Sequence, residues 1–272
     1  MQELRTMGSM AEMLMRYVST STVRDSNYEI ALLLLRNYSR VRHMTQKQMA
    51  ELCFVSEASI SRFCRFLGFE SFHDFKTQMD QDFSVKDDYS RRLQNLMKQN
   101  PSGAVSLWKQ ELVQSVNDTV NEQLLADAKH VAGMIHEAEK TAVFSHHFLW
   151  DAGRFIQSKL MMMGKFIAVH QDYEMQKSDA SLMGEKDLAI IMTVGGSWYT
   201  RYNEIYDVIL KSGCQIVAIT QNLSSPYLNR MDYVMKCGNS NIDDTGKYCM
   251  LAAGDAIVLN YLKEYGDENE QI

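Results

Sequence analysis

Residues 45–76, TQKQMAELCFVSEASISRFCRFLGFESFHDFK, hold two short capped helical segments joined by a tight turn. The first helix opens at Thr45. Its hydroxyl can accept from the backbone amide near Gln48 while the Gln48 side chain reaches back, a Thr-x-x-Gln capping box. Met49, Ala50 and Leu52 supply the apolar side of that helix. Val55 and Ser56 make the turn. Ser56 is a good N-cap for a second helix starting at Glu57, and Gly68 offers the left-handed cap that ends it.

Within the second helix Ile60, Phe63, Cys64 and Leu67 recur at the i, i+3, i+4, i+7 spacing of one buried face. Ser59, Ser61, Arg62 and Arg65 are left on the other. Short hydroxyls near a helix N-terminus let phosphates and base edges come close, and an arginine can grip guanine O6 and N7 together, worth ~1–3 kcal/mol of discrimination. This is the make-up of a DNA-recognition helix. Thr45, Gln46 and Lys47 at the start of the first helix, with Ser56 and Glu57 at the start of the second, complete the expected DNA-facing set. Periodicity alone does not separate this arrangement from an ordinary αα-hairpin with a solvated face.

The run VSEASISRFCRFLGFESFHDFK resembles the signature VSxATIxRFxRxLGFxGFxEFK of the RpiR family of bacterial transcriptional regulators. The main departures are Ser59 where the family has threonine, which keeps a small hydroxyl, and Ser71 where it has glycine, beyond the recognition helix. The resemblance implies a regulator that binds double-stranded operator DNA as a homo-oligomer, a dimer or a tetramer.

At 272 residues the chain is long enough for two modest domains, each with its own core. The formal net charge of −6 does not suggest a DNA binder until it is divided: residues 1–80 hold ten Lys or Arg against nine Asp or Glu, +1, which leaves −7 for the rest. Attraction to phosphate must then come from local placement. Arg36, Arg40, Arg42, His43 and Lys47 lead into the recognition helix, either as phosphate contacts or as a solvated face. No apolar run has the form of a leader or approaches the ~20 residues of a membrane helix, so a cytoplasmic protein with no membrane partner is expected. Cys53, Cys64, Cys214, Cys237 and Cys249 are widely spread with no C-x-x-C pair, and read as reduced thiols, the first two packed inside the helix-turn-helix unit. The nineteen methionines, Met161, Met162 and Met163 among them, read as adaptable core and interface filler. No cofactor is expected.

Residues 1–20 are Met-rich and amphipathic, the segment from Tyr28 to Asn37 reads as a core helix, and Phe69, Phe72 and Phe75 pack a closing one. Residues 1–80 thus form an all-α helix-turn-helix domain. Residues 81–103 are polar, include Pro101, and read as a linker with a helix in part of it. From 104 to 272 the texture changes. One long helical pattern, from Val105 to Ala138, leads into apolar strands at 141–144, 166–170, 187–193, 215–220 and 233–237, spaced for intervening helices. That alternation predicts a doubly wound α/β domain with a parallel sheet.

In such sheets ligands bind outside the carboxyl ends of strands, where the winding reverses. The loops after the first strand (Ser145, His146, His147) and third strand (Thr193 to Ser197) are therefore the candidate effector site. Thr193, Gly195, Gly196 and Ser197 can make a phosphate cradle, with glycines admitting an anion and hydroxyls donating to it; the same residues also suit a plain glycine turn. Residues 185–235 are similar in layout to the sugar isomerase (SIS) pattern "gDvxixiSxSGxTxExxxxxxxAKxxGxxxiaiTxxxxSPLAxxaD". Thr193, Gly196, Thr220, Ser225, Pro226, Leu228 and Asp232 fall on its signature positions. This resemblance implies a SIS-like domain taking a small anionic metabolite of the phosphosugar class.

The departures bear on the ligand. Gly195 and Trp198 stand where the pattern has serine and threonine, and Ser145, His146, His147, Phe148 and Leu149 replace its GxGxS loop. A Phe–Leu pair cannot hug a phosphate as glycine does. Either the pocket is remodelled for another ligand, or the domain only oligomerises. Adjacent histidines are expected to point to different sides of their loop, and no Cys or carboxylate stands at ligand spacing beside them, so no metal site is expected. Isomerase chemistry with His147 as base is a further alternative, but no catalytic residue is assigned. Asp172 after the second strand and Lys247 before the last helix read as surface charges.

Overall fold

The computed structural model describes residues 10–80, 89–238 and 242–266. The chain divides into two compact units, the first helical and the second α/β. Residues 1–9 of the Met-rich segment and residues 81–88 lie outside the described residues.

The first unit contains α1 (Met10–Thr20), α2 (Ser26–Arg36), α3 (Tyr38–Val41), α4 (Gln46–Leu52), α5 (Glu57–Phe66) and α6 (Phe72–Asp80). Each start has a local cause. Asp25 accepts from the Tyr28 amide, Thr45 and Gln48 form the expected capping box, and the Ser56 side chain accepts from the Ser59 amide. Such caps contribute about 1 kcal/mol apiece. Helix α5 ends as expected, with Gly68 at φ +95° and the Phe69 amide turned back onto the Cys64 carbonyl at 2.9 Å. The turn comes earlier than expected: α4 stops at Leu52 and the reversal is made at Phe54, which holds φ +56°.

Ile60, Phe63 and Cys64 of α5 and Leu67 just after it are at most 1% exposed and meet Leu34, Met49, Phe69 and Phe75 in one core, which Met10 and Leu14 of α1 also enter. Cys53 and Cys64 both lie inside it. Burial pushes their thiols up, to about 11 and about 12.

The second unit opens with α7 (Arg91–Gln99), α8 (Pro101–Thr119) and α9 (Glu122–Glu137). Part of the segment read as a linker is thus helix, and Ser90 at its start donates from its amide and hydroxyl to the Asp244 carboxylate at 2.8 and 2.6 Å. The long helical pattern is two helices, not one, because Asn121 caps a fresh start by accepting from the Leu124 amide at 2.9 Å. There follow β1 (Thr141–Phe144), α10 (Phe148–Met162), β2 (Ala168–Val169), α11 (Tyr173–Ser181), β3 (Leu188–Met192), α12 (Ser197–Arg201), α13 (Asn203–Ser212), β4 (Gln215–Thr220), β5 (Tyr233–Lys236) and α14 (Ile242–Tyr265). Lys247 therefore sits within the last helix rather than before it.

All strand pairs are parallel, and the order β2-β1-β3-β4-β5 makes the sheet doubly wound, as expected. Alternate strand residues Val143, Ile190, Met192, Val217 and Ile219 enter a core with α9, α10 and α14. The opposite set, including Phe144, Ile191 and Ala218, is equally buried, and Phe144 meets Trp198 of α12 with ring centroids 6.1 Å apart. Burial on both faces is what a parallel sheet between helix layers requires. Buried Asp187 pins the amino ends of β1 and β3, accepting from the amides of Lys140 at 3.0 Å and Gly184 at 2.9 Å.

Because the Phe63 ring is fully buried in the helical core, Phe63→Ala is expected to cost about 3–5 kcal/mol. Urea denaturation should show a far larger loss than for Phe66→Ala, whose ring is 42% exposed.

Candidate DNA-binding face and effector site

The start of α4 is fixed on α5 by one side chain. The Gln46 Nε2 donates to the Glu57 carbonyl and to the Ser61 hydroxyl, both at 2.8 Å. Along the outer face of α5 the hydroxyls of Ser56 and Ser59 lie 3.0 Å apart, and Arg62 donates to Ser59 Oγ at 2.9 Å. Ser56, Glu57, Arg62 and Arg65 are exposed, as are Thr45 and Lys47, while Gln46, Ser59 and Ser61 are half-buried by these bonds. These bonds tie the start of α4 to α5 and link Ser56, Ser59 and Arg62 along the outer face, with the Arg65 side chain exposed beside them. Of the basic residues before it, Arg36, Arg40 and His43 are exposed. Behind α3, Lys76 donates to the carbonyls of Val41 and Arg42, satisfying two groups that the helix end leaves open. Phe54, 90% exposed at the turn, is one residue the sequence did not single out; nothing about an aromatic in that position signals a left-handed backbone.

In the α/β unit β1 has β2 on one side and β3 on the other, so the chain winds away in opposite directions there. The loops after β1 and β3 meet at that point. His146 Nε2 and Ser197 Oγ are 3.2 Å apart, and Arg201 Nη1 lies 3.3 Å from His147 Nε2. Arginine has only donors, so His147 Nε2 accepts. The histidine rings are neighbours, with centroids 4.7 Å apart, and do not point to opposite sides. Their joint approach to α12 is what overrides the alternation expected for successive loop residues. His147 holds φ +51° and ψ −139°, a conformation natural to glycine and costing other residues about 1–3 kcal/mol. It occupies the second glycine position of the SIS-type loop pattern.

Thr193 is fully buried, and its hydroxyl accepts from the Gly196 amide at 3.1 Å. Gly196, at φ +94°, leads directly into α12. Asn222 Nδ2 braces the same loop by donating to the Gly195 carbonyl at 2.9 Å. Thr193 and Gly196 therefore shape the loop by bonding to each other, and Ser197 is the hydroxyl that reaches His146. Behind them lies an aromatic wall: Trp198 stacks on Tyr202 at 5.7 Å and 10°, and Tyr199 on Tyr227 at 4.8 Å and 15°.

Several buried polar atoms around this point have no hydrogen-bond partner among the described residues: Ser145 Oγ, His146 Nδ1, Gln176 Oε1, Trp198 Nε1 and Tyr199 Oη. Gln176, from α11, donates to the Ser145 carbonyl at 3.0 Å and so belongs to the cluster. Gln176 and Arg201 were not readable as site residues, since only the fold decides which side of α11 and α12 meets the loops. Burial, reinforced by the charges of His147 and Arg201, pushes His146 down to about 3, so its ring is neutral across physiological pH. Among the described residues no group of three or more His, Cys, Asp or Glu is arranged to hold a metal ion, and no helix is long and apolar enough to cross a membrane.

Residues 12–86 match the helix-turn-helix domain of the rpiR family. An uncharacterized HTH-type transcriptional regulator of Haemophilus influenzae is 25% identical over 221 residues, 80% of this chain and 76% of that one. The helical unit is thus similar to the DNA-binding domain of RpiR-family transcriptional regulators. The α/β unit has the SIS fold. It is shared with the sugar isomerase domain of the RpiR transcription factor from Sphaerobacter thermophilus, at 15% identity and TM-score 0.50 over 64% of this chain and 99% of that one. The Vibrio vulnificus NanR protein complexed with ManNAc-6P matches across both units, at 18% identity and TM-score 0.53 over 94% of each chain.

The depressed His146 pKa sets a pH dependence. In the unfolded chain this imidazole takes up a proton near its ordinary pKa of ~6.5, whereas in the folded chain it stays neutral down to about 3. Its contribution is full above the unfolded value and falls with pH below it, by up to about 1.4 kcal/mol per unit. His146→Gln should flatten the stability slope below pH 6.5 relative to the wild type, as read from urea midpoints at pH 5 and pH 7.

Proposed function

We propose that this regulator binds operator DNA as a two-fold homo-oligomer through α5, and that a small anionic metabolite of the phosphosugar class, held at the ends of β1 and β3, alters that binding. The observation that carries the effector site is the group of buried, unpartnered polar atoms at Ser145, His146, Gln176, Trp198 and Tyr199. Buried polar groups in folded proteins nearly always have partners, and five orphans at the winding reversal of an α/β sheet are what a polar ligand would satisfy. Arg201 beside His147 supplies positive charge at the rim, and the neutral His146 offers a hydrogen bond without adding charge. NanR, of like fold, is complexed with ManNAc-6P, which supports the ligand class.

A ligand that favours one subunit arrangement shifts the spacing between the two recognition helices, and with it the fit to half-sites about one helical turn apart. Ser56, Ser59, Arg62 and Arg65 would meet the DNA, with Thr45, Gln46, Lys47, Glu57 and Ser61 orienting α5 or touching phosphates. No catalysis is assigned. The reading in which the domain only assembles subunits is favoured by one feature, the buried aromatic wall of Trp198, Tyr199 and Tyr202, in which Trp198 stands where the SIS pattern has threonine.

Two measurements test this. A duplex consensus selected from a random-sequence pool by the wild type should lose at least about tenfold in affinity with Arg62→Ala or Arg65→Ala; unchanged binding by both variants would sink the DNA-contact assignment. Thermal-shift screening against phosphorylated sugars and amino sugars should find a compound that raises the melting temperature, since a ligand at 100 times its Kd adds about 2.7 kcal/mol to the folded state. Arg201→Ala and Ser197→Ala should abolish that shift. No response to any of them would leave the assembly-only reading.

A further inference from the structure

The first turn of α14 packs around a side chain that has nothing to bond to. Gln221, immediately after β4, is 7% exposed, and its Oε1 and Nε2 are both buried without a hydrogen-bond partner among the described residues. Its carboxamide lies between two glycines. A Cβ on Gly238 would stand 2.5 Å from Nε2, and one on Gly246 would stand 3.2 Å from Oε1. The glycines give the amide its room, yet neither of its polar ends is satisfied there. A buried polar group left unpaired costs free energy, so another seating in which Gln221 finds partners lies close to this one in energy.

The same place joins two parts of the α/β unit. On one side is the loop after β3. The Gln221 amide donates to the Val194 carbonyl at 3.2 Å, the Thr220 hydroxyl donates to it at 3.1 Å, and a Cβ on Gly246 would stand 2.5 Å from Val194 Cγ1. The loop and the start of α14 touch with no spare volume, so neither shifts without the other. On the other side is the start of α7. Buried Asp244 holds the Ser90 amide and hydroxyl, and Lys247 Nζ lies 4.6 Å from the Tyr89 ring centroid. Ser90 also caps α7, accepting from the Leu93 amide at 3.1 Å. Tyr89 and Ser90 are the first described residues of this unit, where the chain arrives from the helical one.

We infer that the first turn of α14 is the joint through which the loop after β3 acts on the segment leading to the DNA-binding unit, with the Gln221 carboxamide at its input and the Asp244–Ser90 bonds at its output. This rests on the effector reading above and adds the residues that transmit it. A ligand that draws on the loop moves Val194, and the Gly246 backbone abutting it moves too. Gln221 then gains partners it lacks here, which offsets what the shift costs. A switch requires two such arrangements close in energy, biased from one site and read at another. Asp244 stands two residues from Gly246 in the same helical turn, so it travels with that turn and carries Ser90 along.

The test needs no ligand. It reads the melting temperature of the full-length protein and its affinity for the duplex that the wild type selects. Gln221→Met removes the unpaired amide at nearly constant volume. It should raise the melting temperature by about 2–4 °C and, by holding the joint in one arrangement, change DNA affinity at least about fivefold. Adding Ser90→Ala, which takes away one bond to Asp244, should abolish that change in affinity. Ser90→Thr keeps the hydroxyl and should preserve it. A purely structural role for Gln221 predicts the same change beside all three residues at position 90. A Gln221→Met protein that melts at or below the wild type, that binds DNA unchanged, or whose effect survives Ser90→Ala would overturn the joint. Should the wild type select no duplex, the regulator reading and the joint fall together. Should it bind DNA yet respond to no phosphosugar in the thermal-shift screen, the effector reading falls alone, and the Gln221 and Ser90 series still decides the joint.

Discussion

Strand β1 has a parallel neighbour on each side, and the geometry of the α/β unit follows from that pairing. A parallel strand cannot turn straight back. Each crossover must climb over one face of the sheet, and the crossovers leaving β1 and β3 go in opposite senses. Their loops part at the carboxyl edge and leave a crevice whose walls are the first residues after each strand. Ser145 to His147 and Thr193 to Ser197 meet because the strand order puts them there. The amino edge is sealed instead, by Asp187 holding the Lys140 and Gly184 amides.

Within the crevice the backbone and the side chains tell different stories. The backbone carries two left-handed positions, Gly196 before a short helix and His147 in a glycine conformation. The side chains include a ring, Trp198, where the SIS pattern has threonine. Trp198 and Tyr199 are fully buried, and Thr193 bonds to its own loop. Recognition there would rest on imidazole, indole, phenol and guanidinium groups, which favour a ligand with a flat or partly apolar portion beside its anionic group.

The helical unit was legible wherever the cause is local. A capping box, a serine N-cap, a glycine C-cap and an i, i+3, i+4, i+7 stripe each depend on residues within two turns of one another, and all were found where expected. Phe54 was not legible, because its left-handed backbone is imposed by the two helices it joins. The break at Asn121 had its signal in the cap residue, but apolar periodicity running on both sides of it concealed the boundary. In the α/β unit the strands and the winding followed from alternating texture, and the two loops from topology. Gln176 and Arg201 needed the fold, since helix periodicity does not say which side of a short helix faces a loop thirty or fifty residues away in the chain. The nearness of the two histidines needed it for the same reason.

The burial of Cys53 and Cys64 in the helix-turn-helix core separates this unit from cellular oxidants. A thiol reacts with peroxide or a disulfide as its thiolate, and thiols pushed up to about 11 and about 12 hold almost none of that form near neutral pH. The remaining three cysteines are buried as well. DNA recognition by this chain is therefore insulated from thiol oxidation while the fold stays closed, and an oxidative signal reaches these sulfurs only through transient opening of the domain.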